Sequence, residues 1–327
     1  MTSREIFEAV LTFAGPPRVG MSLPQPYPND VTFAGRRGHP DEPLEPQGGE
    51  LRRWRDEWGV TWASLTDYDK GEVVAGALPE WSHLADWQPP NLGRRADYAE
   101  AARRFADDTE HFRVGGIPGF VFNVARKLRK LDNYLCDLML EPDRVRRLNE
   151  LVRAELLKAI DCWADAGADA IMFAEDWGTQ DRLMISPALW REVFRPEFEA
   201  LAGRARDHGL YVLMHSCGKI TDIIADLIEC GIHCLQFDQP RVHGIETLSE
   251  RFGGKVTFWC PVDIQKTLQT RDPEQIRQEA KLLVERLGTF GGGFVAGYYG
   301  GNEAIGLTPD VQDVACKAFV EYGTFAS

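Results

Sequence analysis

A (β/α)8 TIM barrel is the fold this sequence predicts, and three observations predict it. From about residue 110 onward, short apolar runs alternate with amphipathic helical segments. That alternation implies a parallel sheet, because parallel strands need crossover helices. Six such runs fill the last two-thirds of the chain, leaving room for two more before residue 110. No GxGxxG turn follows an early strand, which counts against an open doubly wound sheet. The 327 residues are read as a single domain, 1–327. Residues 1–110 supply N-terminal strands and long loops over the carboxyl face; residues 111–327 supply regular βα units.

In chain order, "RVGMSL" (18–23) and "VTWASL" (60–65) are the candidates for the first two strands. The proline- and glycine-rich stretches 24–49 and 77–93 read as long loops. Their aromatics argue for order, and Trp58, Trp62, Trp81 and Trp87 in the front loops are placed to line a barrel mouth. The six regular runs are "HFRVGGI" (111–117), "DAIMFAED" (169–176), "LYVLMHSCG" (210–218), "HCLQFDQP" (233–240), "VTFWCPVD" (256–263) and "GFVAGYYGG" (293–301). Between them, residues 141–166 carry apolar residues at helical spacing. Ser186-Pro187 and Asp272-Pro273 open further helices with an N-cap and a proline in the first position. Asp207-His208-Gly209 closes the first of these two.

Composition excludes several functions. A net charge of -13 makes phosphate-rich nucleic acid an unsuitable partner. No run of about 18 apolar residues is present, so no membrane span is expected. The start, "MTSREIFEAVLTFAG", lacks a signal-peptide layout, and a cytoplasmic location is expected. The seven cysteines are odd in number and irregularly spaced, which points to buried thiols or metal ligands rather than a disulfide framework.

In a barrel of this kind the chemistry sits where strands end. The run ends here are Glu175-Asp176, His215-x-Cys217, Asp238-Gln239, Cys260-x-x-Asp263 and Tyr298-Tyr299. His215 and Cys217 lie two apart on a strand, so both point to one face. Imidazole and thiolate are the usual ligands of zinc. Spacing alone leaves open the plainer reading, a hydrogen-bonded histidine beside a buried cysteine. Two ligands are not a site. Cys260 is the best third ligand by sequence, Glu175 is next, and Tyr299 and Glu303 follow. Glu175, Asp176 and Asp263 are candidate catalytic carboxylates that orient substrate, or else cap the following loops. Gln239, Tyr298 and Tyr299 are candidate substrate contacts. His233 and Cys234 begin their strand, on the face that stabilises a barrel, and are read as structural. No GxSxG elbow is present, so a serine triad is disfavoured.

These residues resemble the uroporphyrinogen decarboxylase superfamily, in particular its cobalamin-related methyltransferase branch. The resemblance runs through "REIFEAVLTFAGPPRVGMSL", "DEWGVTW", "AEDWGTQDRLMISPALWREVFRPEFEAL", "LMHSCGKITDIIADLIECGIHCLQFDQP" and "PVDIQKTL", and is most specific from Ala174 to Pro240. It implies a (β/α)8 barrel. The HxCG at His215–Gly218 looks like the zinc motif of methylcobamide:coenzyme M methyltransferases, in which zinc holds a thiol as a thiolate that takes a methyl group from methylcobalt. The family's third ligand is a cysteine near the end of the last strand, and "VAGYYGGNEAIGLTPD" has none. Cys260 or an oxygen ligand such as Glu175 would have to replace it. No DxHxxG cobalt-ligand motif occurs, so cobalamin is expected on a separate corrinoid protein. Family members are often homodimers. The resemblance thus implies a zinc-dependent transfer of methyl between cobalamin and a small methylated substrate or thiol. A metal-free decarboxylase and a non-catalytic corrinoid- or metal-binding barrel are the alternatives.

Overall fold

The computed structural model describes residues 1–66 and 70–325. The chain opens with helix α1 (Ser3–Leu11), then strands β1 (Gly20–Met21), β2 (Val31–Gly35), β3 (Glu42–Leu44), β4 (Arg52–Arg55), β5 (Thr61–Ser64) and β6 (Glu72–Ala75). Helix α2 (Ala99–Asp107) leads to β7 (Phe112–Gly116). Helices α3 (Val121–Arg129), α4 (Leu131–Leu140) and α5 (Pro142–Asp165) then precede β8 (Ala170–Ala174). Helices α6 (Pro187–Val193) and α7 (Arg195–Asp207) come before β9 (Tyr211–His215), and α8 (Ile224–Cys230) before β10 (Cys234–Gln236). Next come α9 (Ile245–Phe252), β11 (Thr257–Cys260), α10 (Thr267–Thr270), α11 (Pro273–Leu287), β12 (Phe294–Ala296) and α12 (Pro309–Gly323).

Eight strands form one parallel sheet in the order β1-β12-β11-β10-β9-β8-β7-β2. The sheet curls into a barrel-like α/β fold. Its two end strands are tied by Asp30, whose backbone N–H donates to the Met21 carbonyl at 2.7 Å and whose carboxylate accepts from the Met21 N–H at 2.7 Å. Arg18 neutralises this fully buried acid.

Side chains alternate between two cores, as a strand's period of two requires. Val31, Phe112, Val114, Ala170, Leu213, Cys234, Trp259 and Val295 fill the inside of the curl. Helix α1 plugs its lower end with Phe7, Val10 and Leu11. A reciprocal capping box between Thr2 and Glu5 starts this helix. The opposite set, including Phe173, Met214, Leu235, Phe258 and Cys260, packs outward under the helices. With the amino end plugged, the carboxyl end of the sheet is the open mouth.

Two expectations are corrected. The second strand of the parallel sheet is β2, inside a stretch read as loop. The 60–65 run does form a strand, β5, but in a separate antiparallel sheet ordered β3-β4-β5-β6. The reason is local. β2 is five residues long and flanked by proline, glycine and charge, which mask it. The 60–65 run mixes apolar with small and polar residues, and its strand pairs antiparallel with β4 and β6. Ser186 and Asp272 cap their helices as expected, accepting from the N–H groups of Leu189 and Glu274. The helix after Ser186 is interrupted at Phe194, ahead of Arg195-Pro196, and so forms two segments, α6 and α7.

Candidate metal centre at the sheet mouth

His215 ends β9, and its register partners are Ala174 on β8 and Gln236 on β10. Ala170, Met172, Leu213 and Cys234 face the inner core, so alternation turns Ala174, His215 and Gln236 to the same interior side. Beyond the strand, Gly218 adopts φ +72°, and the chain lies directly on the Trp177-Gly178 turn that follows β8. A Cβ on Gly218 would fall 2.2 Å from the Gly178 carbonyl oxygen. The Lys219 N–H donates to the Thr179 carbonyl at 2.8 Å, fastening the two turns together.

That contact brings Asp176 to the HxC motif. Its Oδ1 accepts from the Cys217 backbone N–H at 2.8 Å. His215 Nε2 lies 3.3 Å from Cys217 Sγ and 3.7 Å from Asp176 Oδ1. The three ligand atoms all lie within 4.8 Å of one another. Zinc bonds of about 2.0–2.3 Å in a tetrahedron give ligand–ligand edges of roughly 3.3–3.7 Å, so the donor set and its spacing fit that ion.

The histidine is oriented by its neighbours. His215 Nδ1 hydrogen-bonds the Gln236 side-chain oxygen, while the Gln236 amide nitrogen donates to Asp238 Oδ1 at 2.8 Å. A carboxylate only accepts, so the amide nitrogen faces Asp238 and the amide oxygen faces His215. The imidazole proton therefore sits on Nδ1 and the lone pair on Nε2, toward Cys217 and Asp176. Burial pushes the Cys217 thiol up to about 12, and Asp176 and Asp238 add to the rise. A nearby cation would reverse that effect. Arg126 Nη2 stands 3.4 Å from Asp176 Oδ2, holding the carboxylate's other oxygen.

The remaining predicted residues divide. Cys260 is not brought to the cluster: it is fully buried on the outward face of β11, and its in-facing neighbour Trp259 pairs with Gln236. Glu175 turns away from the mouth as well. It is fully buried, its Oε2 accepts from the Asn123 N–H in the first turn of α3, and burial raises its pKa to about 8. Its Oε1 has no hydrogen-bond partner among the described residues. Asp263 caps the turn after β11, accepting from the N–H groups of Gln265, Lys266 and Arg241. Tyr299 is within electrostatic reach of Asp238 and Cys217, which add to the effect of burial in raising its hydroxyl pKa. Tyr298 instead accepts from Asn302 and lines a groove with Tyr27 and Pro309. Gln239 is nearly buried and accepts from Gln180 at 3.3 Å. Glu303 is exposed, in a short turn of 3-10 helix. His233 accepts from the Val212 N–H, a structural bond.

Sequence reasoning missed Gln236, Arg126 and a cleft beside the cluster. The cleft, about 990 Å³, runs from Ala174 and Asp176 between α3 and the antiparallel sheet. Trp62 lines it, as a front-loop tryptophan was expected to, together with Trp54. Trp58 and Trp87 stack on each other instead, and Trp81 bonds Asp137. Inside the mouth, Phe33 on β2 meets Trp259 with centroids 5.9 Å apart and remains 39% exposed, giving an apolar floor.

Fold and site define a class: parallel α/β barrel-like proteins that gather imidazole, thiol and carboxylate at the carboxyl ends of their strands. The uroporphyrinogen decarboxylase (URO-D) family profile matches residues 67–324, and the chain belongs to that family. The methylcobamide:CoM methyltransferase MtaA of Methanosarcina barkeri is 20% identical over 172 residues, 53% of this chain and 49% of the relative. The chain thus spans about half the length of that curated relative. A solved methyltransferase from Methanosarcina mazei superposes with a TM-score of 0.55 at 19% identity, covering 80% of this chain and 72% of the other. That likeness supports the fold. Among the described residues, no helix is long and apolar enough to cross a membrane.

Proposed function

We propose that the protein is a zinc-dependent methyltransferase that works with a separate corrinoid protein, moving a methyl group between cobalamin and a small methylated substrate or thiol. One observation carries the reading. His215 Nε2, Cys217 Sγ and Asp176 Oδ1 converge at the mouth with the spacing of a three-ligand metal site. Three protein ligands leave one position for substrate, as in catalytic rather than structural zinc sites. The acidic third ligand takes the place of the family's last-strand cysteine.

When bound there, zinc would supply Lewis acidity, keeping a thiol ionised or polarising a methylated heteroatom at neutral pH. The chain's own residues do the rest. Gln236 keeps the Nε2 lone pair free and aimed. The Cys217 N–H and Arg126 hold Asp176 in place. Phe33 and Trp259 give the reacting end of the substrate a dry floor, which strengthens electrostatic contacts above it. Tyr299, within electrostatic reach of Cys217 and Asp238, would serve as a substrate contact on this reading.

The test is metal content and turnover together. Purified protein should carry about one zinc per chain. His215→Ala and Cys217→Ala should fall close to zero, and Asp176→Ala should bind zinc more weakly. Methylcobalamin with a panel of thiols should lose its methyl group to the wild type and not to the two empty variants. Equal, low zinc in all four proteins would refute the reading.

A further inference from the structure

The cleft that runs from Asp176 contains a cation with no ion-pair partner among the described residues. Lys127, in the last turn of α3, lines it and is partly buried. Its Nζ lies 5.5 Å from the centre of the Trp62 ring. Among the described residues it makes no hydrogen bond and no ion pair. Burial and the neighbouring Arg126 push its pKa down to about 8, as expected of an ammonium that lacks an anion.

The carboxylates whose charge reaches Lys127 are committed elsewhere. Asp56 accepts from the backbone N–H groups of Trp58 and Val60 and from Trp62 Nε1. Asp176 is held by the Cys217 N–H and Arg126. Glu175 faces the first turn of α3. Arg126 directs Nε and Nη2 at Asn123 and Asp176, and its Nη1 makes no hydrogen bond among the described residues. Two adjacent side chains therefore offer unused donors to the same space.

The opposite wall is aromatic. Trp54 and Trp62 are neighbours across β4 and β5, nearly parallel at 6° with centroids 6.3 Å apart. Val73 and Leu135 extend the apolar surface. A flat apolar body fits along such a wall, while an acid group fits Lys127 and Arg126. The two features lie in one cleft that ends at the metal cluster.

We propose that this cleft binds an aromatic carboxylate, its acid group on Lys127 and Arg126, its ring along Trp54 and Trp62, and its far end toward Asp176. The orientation rests on the metal-site reading above; the anion site does not. The overall charge of -13 repels anions at long range, so a local pair of cations is needed to hold one.

The probe is 4-methoxybenzoate, compared with the neutral, near-isosteric 4-methoxybenzamide, by calorimetry on the full chain. The acid should bind about ten- to a hundredfold more tightly than the amide, the range that charge-assisted hydrogen bonds supply. Raising the salt concentration should narrow that gap in the wild type, a readout that needs no variant. Lys127→Met should abolish the preference and Lys127→Arg should keep it. His215→Ala should keep it too, so failure of the metal reading would leave this result standing. Equal affinity for acid and amide, no binding of either at millimolar concentration, or an unchanged preference in Lys127→Met would each overturn the proposal.

Discussion

Gln236 governs which nitrogen of His215 faces the cluster. Its amide links the imidazole to Asp238 and so settles which ring nitrogen carries the proton. Gln236→Leu keeps the bulk and deletes the relay. On the proposed reading, zinc affinity should fall about 10- to 100-fold, measured by competition with a chromophoric chelator, with little change in the folded signal. Unchanged affinity would show that His215 is held by other means. At this scale the sequence was partly legible. His215 and Cys217 announce themselves, because HxC puts two soft ligands on one strand face. Asp176 was visible as a carboxylate at a strand end, but its service to Cys217 depends on how two separate turns touch. Cys260 was chosen for its chemistry, and chemistry carries no information about which way a strand residue faces.

Elements explain that ambiguity. Strands of a parallel sheet are apolar on both faces. In "VTFWC" either alternate set looks fit for either core. Only the ladder, which pairs Trp259 with Gln236 and Cys260 with Ala296, turns Cys260 outward. The two turns that build the site meet through glycine. Gly218→Ala would strain a left-handed backbone, at about 1–2 kcal/mol, and drive a methyl group into the Gly178 carbonyl. Chemical denaturation should show a loss of at least about 2 kcal/mol, and metal content should fall with it, because Asp176 and Cys217 would be pushed apart. A neutral substitution would mean that the turns can separate without cost.

At the scale of the whole molecule, α1 and the antiparallel sheet stand at opposite ends of the same architecture and treat them differently. α1 plugs the amino end through Phe7, which meets Phe112 and Trp259 at centroid separations of 4.8 and 5.8 Å. Phe7→Ala should cost about 3–5 kcal/mol, the usual price of emptying a buried aromatic position, read as a lowered denaturation midpoint. Loss below about 1 kcal/mol would show that the plug collapses to fill the space. The antiparallel sheet does the opposite at the carboxyl end, standing off from α3 and leaving a cleft rather than a seal.

By itself the sequence determined the alternation of strand and helix, the parallel sheet and the carboxyl-end placement of His215 and Cys217. Those follow from local periodicity, capping and spacing, which act over a few residues. Tertiary structure decided that Asp176 joins the histidine and cysteine, that Cys260 and Glu175 turn outward, and that Lys127 faces two tryptophans across a cleft. Each of these is a meeting of segments distant in the chain. Such meetings depend on strand register and on close backbone contact, and neither is encoded in any one stretch of residues.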